Sequence, residues 1–268
     1  MRRDAHAACD GATIAYSDVG EGPAVLFLHG FPHDRGLWDE QLAALAPRAR
    51  CLAPDLRGFG DSDAVGPFTM DRYAEDAACV LDDAGVERAV VVGLSMGGYV
   101  AFALWRRHRH RVRALVLAST RAAADDPATR EKRRALIELA RREGSRAVAA
   151  GQLPGALAAA TREERPELVR AVTELQSRAP VAGVVGALKA MLARPDSTPD
   201  LPTIDVPTLV IAGSDDAIIR VGVAREMHAA IPGSALVVLE GAGHLCNLER
   251  PAEFDAALDQ FLSRVAPA

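Results

Sequence analysis

Residues 89–98 read Ala89-Val90-Val91-Val92-Gly93-Leu94-Ser95-Met96-Gly97-Gly98, and few folds accommodate such a run. The β-branched stretch predicts a short buried strand. It breaks at Gly93-Leu94-Ser95-Met96-Gly97, and a helical run over 99–107 follows. A serine caught between strand and helix needs a strained backbone that pushes its hydroxyl out of the turn. Gly93 and Gly97, two residues to either side, remove the side chains that would collide there. The helix begins at Ser95, so its free N–H groups and positive dipole end face any anion formed beside the serine. Alone, the same residues also describe a tight turn in which Ser95 caps a helix. The rest of the chain decides.

Apolar runs at 24–28, 51–54, 114–118, 208–212 and 235–239 predict further strands, with 12–19 as one or two edge strands. Helical spacing appears at 38–45, 69–85, 223–231 and 253–265. Strands alternating with helices predict a mostly parallel sheet covered on both faces. From Arg121 to about Pro202 the β-branched runs stop, and helical periods appear at 128–143, 163–176 and 181–192. The expected organisation is therefore a core over 1–120, a helical lid insertion over 121–202, and the rest of the core over 203–268.

Composition narrows the partners. A net charge of −5 gives no footprint for nucleic acid. The basic run Arg106-Arg107-His108-Arg109-His110-Arg111 sits at a helix C-terminus, where cations are favourable, and reads as a solvated face. No apolar run approaches membrane-spanning length, and Met1–His6 reads as a polar tail without a targeting core. The four cysteines form no C-x-x-C pair, which suits reduced thiols in a cytoplasm. No dinucleotide fingerprint, P-loop or zinc-ligand spacing occurs, so neither cofactor nor metal is expected.

A serine nucleophile needs a base to take its proton and an acid to hold that base in the right tautomer. In parallel α/β sheets, function collects beyond the carboxyl ends of the strands. Ser95, Asp216 in Gly213-Ser214-Asp215-Asp216, and His244 in Gly241-Ala242-Gly243-His244 all fall at such ends, in the order Ser…Asp…His. An oxyanion needs two donors, expected from the backbone N–H groups of Met96 and, in His29-Gly30-Phe31-Pro32, of Phe31. Cys246, two residues beyond His244, is the rival nucleophile.

These stretches, with Asp55-Leu56-Arg57-Gly58-Phe59-Gly60-Asp61-Ser62, resemble the α/β-hydrolase fold superfamily along nearly the whole chain. The resemblance implies an α/β-hydrolase fold with a helical lid, and it picks Asp216 over Asp215 as the acid. A serine at the elbow, where dehalogenases and epoxide hydrolases carry Asp, implies a serine hydrolase. The stretch 31–38 looks most like carboxylesterases and 3-oxoadipate enol-lactonase-like enzymes, so a small-molecule ester or lactone is the expected substrate. Perhydrolases, C–C bond hydrolases and a non-catalytic ligand-binding member share the layout and stay open. Phe31, Trp38, Met96 and Leu245 are expected to line the substrate pocket beside one wall of the lid. Apolar surroundings suit a small neutral ester, while the arginines of the lid keep an acidic lactone open.

Overall fold

The computed structural model describes residues 3–265. In chain order the elements are β1 (Arg3–Cys9), β2 (Ala12–Val19), β3 (Ala24–Leu28), α1 (Asp39–Leu45), β4 (Arg50–Pro54), α2 (Met70–Asp83), β5 (Ala89–Leu94), α3 (Met96–His108) and β6 (Val112–Ala118). Then come five helices: α4 (Pro127–Glu143), α5 (Ser145–Ala156), α6 (Ala159–Glu164), α7 (Pro166–Ser177) and α8 (Val181–Ala193). The chain closes with β7 (Thr208–Gly213), α9 (Val221–Ala230), β8 (Ala235–Leu239), α10 (Cys246–Glu249) and α11 (Pro251–Leu262).

One eight-stranded sheet runs β1-β2-β4-β3-β5-β6-β7-β8. β1 and β2 pair antiparallel, as do β2 and β4, and every other pairing is parallel. The two-residue alternation of a strand divides the central strands between two cores. Val25, Phe27, Val90, Val92, Val116 and Ile211 pack on one face with Leu42 and Leu45 of α1 and Phe254 and Leu258 of α11. Leu26, Leu28, Val91, Leu115, Leu117 and Val210 face α2, α3 and α9 through Tyr73, Val100 and Met227. Both faces are thus buried, and the carboxyl ends of β3, β5, β6, β7 and β8 share one edge.

Three features differ from the sequence reading. The polar tail is a strand from Arg3 onward: His6 lies in β1, opposite Ala15, while Met1 and Arg2 lie outside the described residues. Its signal is Asp10-Gly11, whose φ values of 39° and 76° make the tight hairpin turn that an Asp-Gly pair favours. Two helices beyond the expected three, α5 and α6, occupy 145–164. And Cys9 and Cys79 form a disulfide that ties β1 to α2, leaving Cys51 and Cys246 free and buried. The expectation of four reduced thiols fails because β1 pairs beside α2, an approach across 70 residues that spacing cannot show. No helix of the described residues is long and apolar enough to cross a membrane.

Closing so long a loop removes denatured-state entropy, an effect typically worth ~2–4 kcal/mol. Thiol titration of the denatured, unreduced protein should therefore find only Cys51 and Cys246, and Cys9→Ser should lower stability by about that amount. Four titratable thiols without reductant would contradict the bridge.

Candidate active site

Ser95 stands between β5 and α3 at φ 54° and ψ −111°, a backbone that a residue with a side chain adopts only when its surroundings enforce it. Its amide donates to the Ala118 carbonyl at 2.9 Å, and its carbonyl accepts from the Gly98 amide at 3.0 Å and the Thr120 hydroxyl at 2.7 Å. The flanking glycines are sterically required. A Cβ on Gly97 would stand 2.0 Å from the Leu28 carbonyl oxygen, and one on Gly93 would stand 2.5 Å from that of Gly97. Met96 opens α3, so its N–H belongs to the first turn, which has no intrahelical acceptor.

The loops after β7 and β8 bring Asp216 to His244, both buried. His244 Nδ1 lies 2.8 Å from Asp216 Oδ2, while Asp216 Oδ1 accepts the amides of Ile218 and Ile219, each at 2.8 Å. With a carboxylate accepting at Nδ1, the neutral imidazole carries its proton there and keeps its lone pair on Nε2. Asp215 is exposed and accepts from the Ser214 hydroxyl instead.

Sequence reasoning missed a second carboxylate at this corner. Buried Glu249 accepts the Gly243 amide at 2.8 Å and the Ala158 amide at 2.9 Å. The Leu245 amide donates to the Ala156 carbonyl at 3.0 Å. The end of α5 and the start of α6 are thereby stitched to the loop that carries His244.

The role of His29 was missed as well. Its Nε2 accepts the Leu56 amide at 2.9 Å, so its proton is on Nδ1, 2.9 Å from the Gly30 carbonyl. The His33 amide donates to the same carbonyl at 3.0 Å. A trans peptide points its C=O and N–H in opposite directions, so pinning the Gly30 oxygen turns the Phe31 N–H away from both donors. Asp55 and Ser62 hold the loop that supplies Leu56: Asp55 accepts the amides of Arg35 and Asp61, and the Ser62 hydroxyl donates to the Asp55 carbonyl.

Ser95 and His244 line one cavity of about 270 Å³, at the small end of the ~300–1,000 Å³ usual for ligand pockets. Of the four expected lining residues, Phe31 reaches it and the other three do not. Trp38 ends a 3₁₀ turn that drives its ring into the sheet face, 5.2 Å from Phe27 and 6.2 Å from Phe254. Leu245 is fully buried in the same core, and the Met96 side chain lies in the core on the opposite face. The cavity wall is also not apolar throughout, for Arg121, Lys132 and Arg133 belong to it.

Burial pushes the Cys246 thiol up to about 12, which leaves it a protonated, unreactive group at neutral pH. Among the described residues no group of three or more His, Cys, Asp or Glu is placed to hold a metal ion.

Burial also lowers His29 to about 4 and His33 to about 3. The unfolded chain binds these protons below ~6.5 and the folded one does not. The associated stability is present above ~6.5 and is lost as pH falls, at up to ~1.4 kcal/mol per pH unit for each histidine. Denaturant unfolding at pH 7, 6 and 5 should show wild type losing ground to His33→Gln by about that slope. A pH-independent gap would mean that His33 binds its proton equally in the folded and unfolded chains and would overturn its burial as a neutral ring.

Residues 23–251 match the family model described as alpha/beta hydrolase fold. The 3-oxoadipate enol-lactonase 1 of Acinetobacter baylyi is 28% identical over 257 residues, 95% of each chain. Among solved structures, a thermophilic esterase from Thermogutta terrifontis, in a malate-bound form, superposes with a TM-score of 0.94 at 38% identity, over 98% of this chain and 99% of that one. The enol-lactonase of Burkholderia xenovorans LB400 gives 0.91 at 32% identity, over 97% and 100%. With the elbow, the parallel sheet and this match along most of its length, the chain belongs to the alpha/beta hydrolase fold family.

Proposed function

We propose that the protein is a serine hydrolase that cleaves small carboxylic esters or lactones through an acyl-enzyme. The observation that carries this reading is the pairing of His244 with Asp216 at 2.8 Å, on the cavity that also exposes the elbow serine. Esterase and enol-lactonase relatives support the same chemistry.

In this mechanism the Ser95 oxygen adds to the substrate carbonyl as its proton passes to His244 Nε2. Asp216 stabilises the resulting imidazolium and keeps the ring oriented. The negative charge on the former carbonyl oxygen is met by the N–H groups of Phe31 and Met96, which are fixed before the reaction and need no reorganisation during it. Collapse breaks the bond to the leaving oxygen, which takes the proton back from Nε2. Water then repeats the sequence on the acyl-enzyme, with His244 again as base, and releases the acid and free Ser95. A lactone follows the same steps, its leaving oxygen staying attached to the acyl group.

Ser95→Ala should fold normally and lose ~10⁴–10⁶ in turnover, together with labelling by a fluorophosphonate probe. Asp216→Asn should lose roughly 10²–10⁴ through the wrong imidazole tautomer, and Asp215→Asn far less. An Asp215 effect larger than that of Asp216, or a Ser95→Ala protein retaining a tenth of wild-type turnover, would overturn these roles.

A further inference from the structure

We propose that Gln176 and His33 form a hydrogen-bonding subsite in the cavity for a hydroxyl group, and that the substrate is a hydroxy ester or hydroxy lactone. This rests on the hydrolase reading above and adds to it one functional group of the substrate.

The first observation is where a polar side chain has been placed. Leu168, Val172 and Gln176 follow one another at intervals of four along α7, so they share its inward face, and all three are buried. Two of these positions are apolar, and the third carries an amide that is only 1% exposed. A leucine there would continue the stripe at no polar cost, whereas a buried amide is costly unless both its ends are hydrogen-bonded. The neighbouring Leu175 rests on the loop after β3, 3.4 Å from where a Cβ on Gly36 would stand. Gln176 reaches the same loop at His33, and both residues line the cavity with Ser95, Phe31 and His244.

The second observation is which of their atoms are satisfied. Gln176 Nε2 lies 3.2 Å from His33 Nε2. An amide nitrogen has no lone pair to offer, so it donates and the bare ring nitrogen accepts. Burial keeps the ring neutral, with its proton on Nδ1, near a Gly30 carbonyl already taken by His29 Nδ1 and the His33 amide. The other end of the amide, Gln176 Oε1, is buried and has no partner. Among the described residues of the cavity lining, the other buried polar atoms without a partner are His33 Nδ1 and Arg121 Nε, both donors. Gln176 Oε1 is the acceptor left open at this wall. The terminal torsion of a glutamine is broad, so the oxygen turns to the cavity without a shift of α7.

The group that fits this acceptor is a small neutral donor. Among the described residues no carboxylate lines the cavity to pair with an ammonium group, and the buried Asp125 carboxylate is already shared by Arg121, Arg133 and Arg194. An amide N–H brings a carbonyl that needs a partner of its own in a cavity of about 270 Å³. A hydroxyl adds a single heavy atom. A site that bonds a substrate hydroxyl also discriminates more sharply than one that fits a methylene, because an analogue without it leaves a buried polar atom unpaired.

The test uses isosteric pairs in which a methyl group replaces the hydroxyl: ethyl 3-hydroxybutanoate (each enantiomer) against ethyl 3-methylbutanoate, and 2-hydroxyethyl butanoate against propyl butanoate. The first pair places the hydroxyl on the acyl side, the second on the alcohol side, and acid release gives kcat/KM for each ester. Wild type should favour the hydroxy member of one pair. Gln176→Leu should lower that ratio about 3–10-fold, the worth of one hydrogen bond, and Gln176→Met, which keeps the length but loses the oxygen, should do the same. Dividing the wild-type ratio by that of the variant removes the intrinsic effect of a hydroxyl on ester reactivity. His33→Phe should lower the ratio too, and the double variant no further than either change alone, as for two residues acting as a unit. Preference for the methyl member in both pairs, a ratio unmoved by either substitution of Gln176, or an equal loss on both members would overturn the subsite while leaving the hydrolase reading intact. Calorimetry of the hydroxy esters on Ser95→Ala protein, with and without Gln176→Leu, reads the subsite without turnover. Absence of both turnover and fluorophosphonate labelling in wild type, with calorimetric binding that still weakens in Gln176→Leu, would instead sink the hydrolase reading and keep the subsite.

Discussion

The backbone of Ser95, held at a positive φ, is the constraint on which the rest depends. A serine relaxes out of that conformation unless its neighbours prevent it. Here the preventing contacts come from all sides: the β6 carbonyl of Ala118, the Thr120 hydroxyl, and the approach of β3 to Gly97. Those groups are fixed only because β3, β5 and β6 are neighbours in one sheet buried on both faces. The core therefore holds Ser95 in its strained conformation, and that conformation keeps the hydroxyl at the cavity.

The loop after β3 shows the same logic in smaller form. His29 would be an idle core histidine by its burial alone. Its two bonds, one to Leu56 and one to Gly30, make it a strut that sets the direction of a peptide. Burial keeps it neutral, which the bonding pattern requires, since a protonated ring could not accept from Leu56.

How much of this was legible in the sequence varied with how local the determinants are. The elbow, the strand ends and the order Ser95…Asp216…His244 could be read directly, because strand, turn and helix chemistry sit side by side in the chain. The β1 strand was overlooked because its alanine, histidine and cysteine residues carry weak strand preference, although Asp10-Gly11 marked the hairpin. Trp38 was assigned to the pocket because aromatic residues near a site invite that reading, and its turn sends it into the sheet face instead. The cationic wall depends on which side of α4 faces the cavity. That rotation is set by packing against α8 and by the Asp125 cluster, not by the spacing within α4. Glu249 and Thr120 act on backbone groups 91 and 25 residues away, distances at which spacing carries no information.

Glu249 gives the helical insertion a fixed corner. Its carboxylate, the Leu245–Ala156 bond and the bonds from Arg165 to the Leu248 and Glu249 carbonyls all anchor the same end of the cover to the His244 loop. A cover fastened there is coupled to the loop that carries His244, so a shift of the end of α5 or the start of α6 pulls on that loop. Lys132 and Ile218, the latter 44% exposed, stand at the solvent side of the cavity wall. Ile218 belongs to the fastened corner itself: its amide donates to Asp216, and a Cβ on Gly155 of α5 would stand 3.1 Å from its side chain, so a molecule passing that part of the wall passes beside the His244–Asp216 pair.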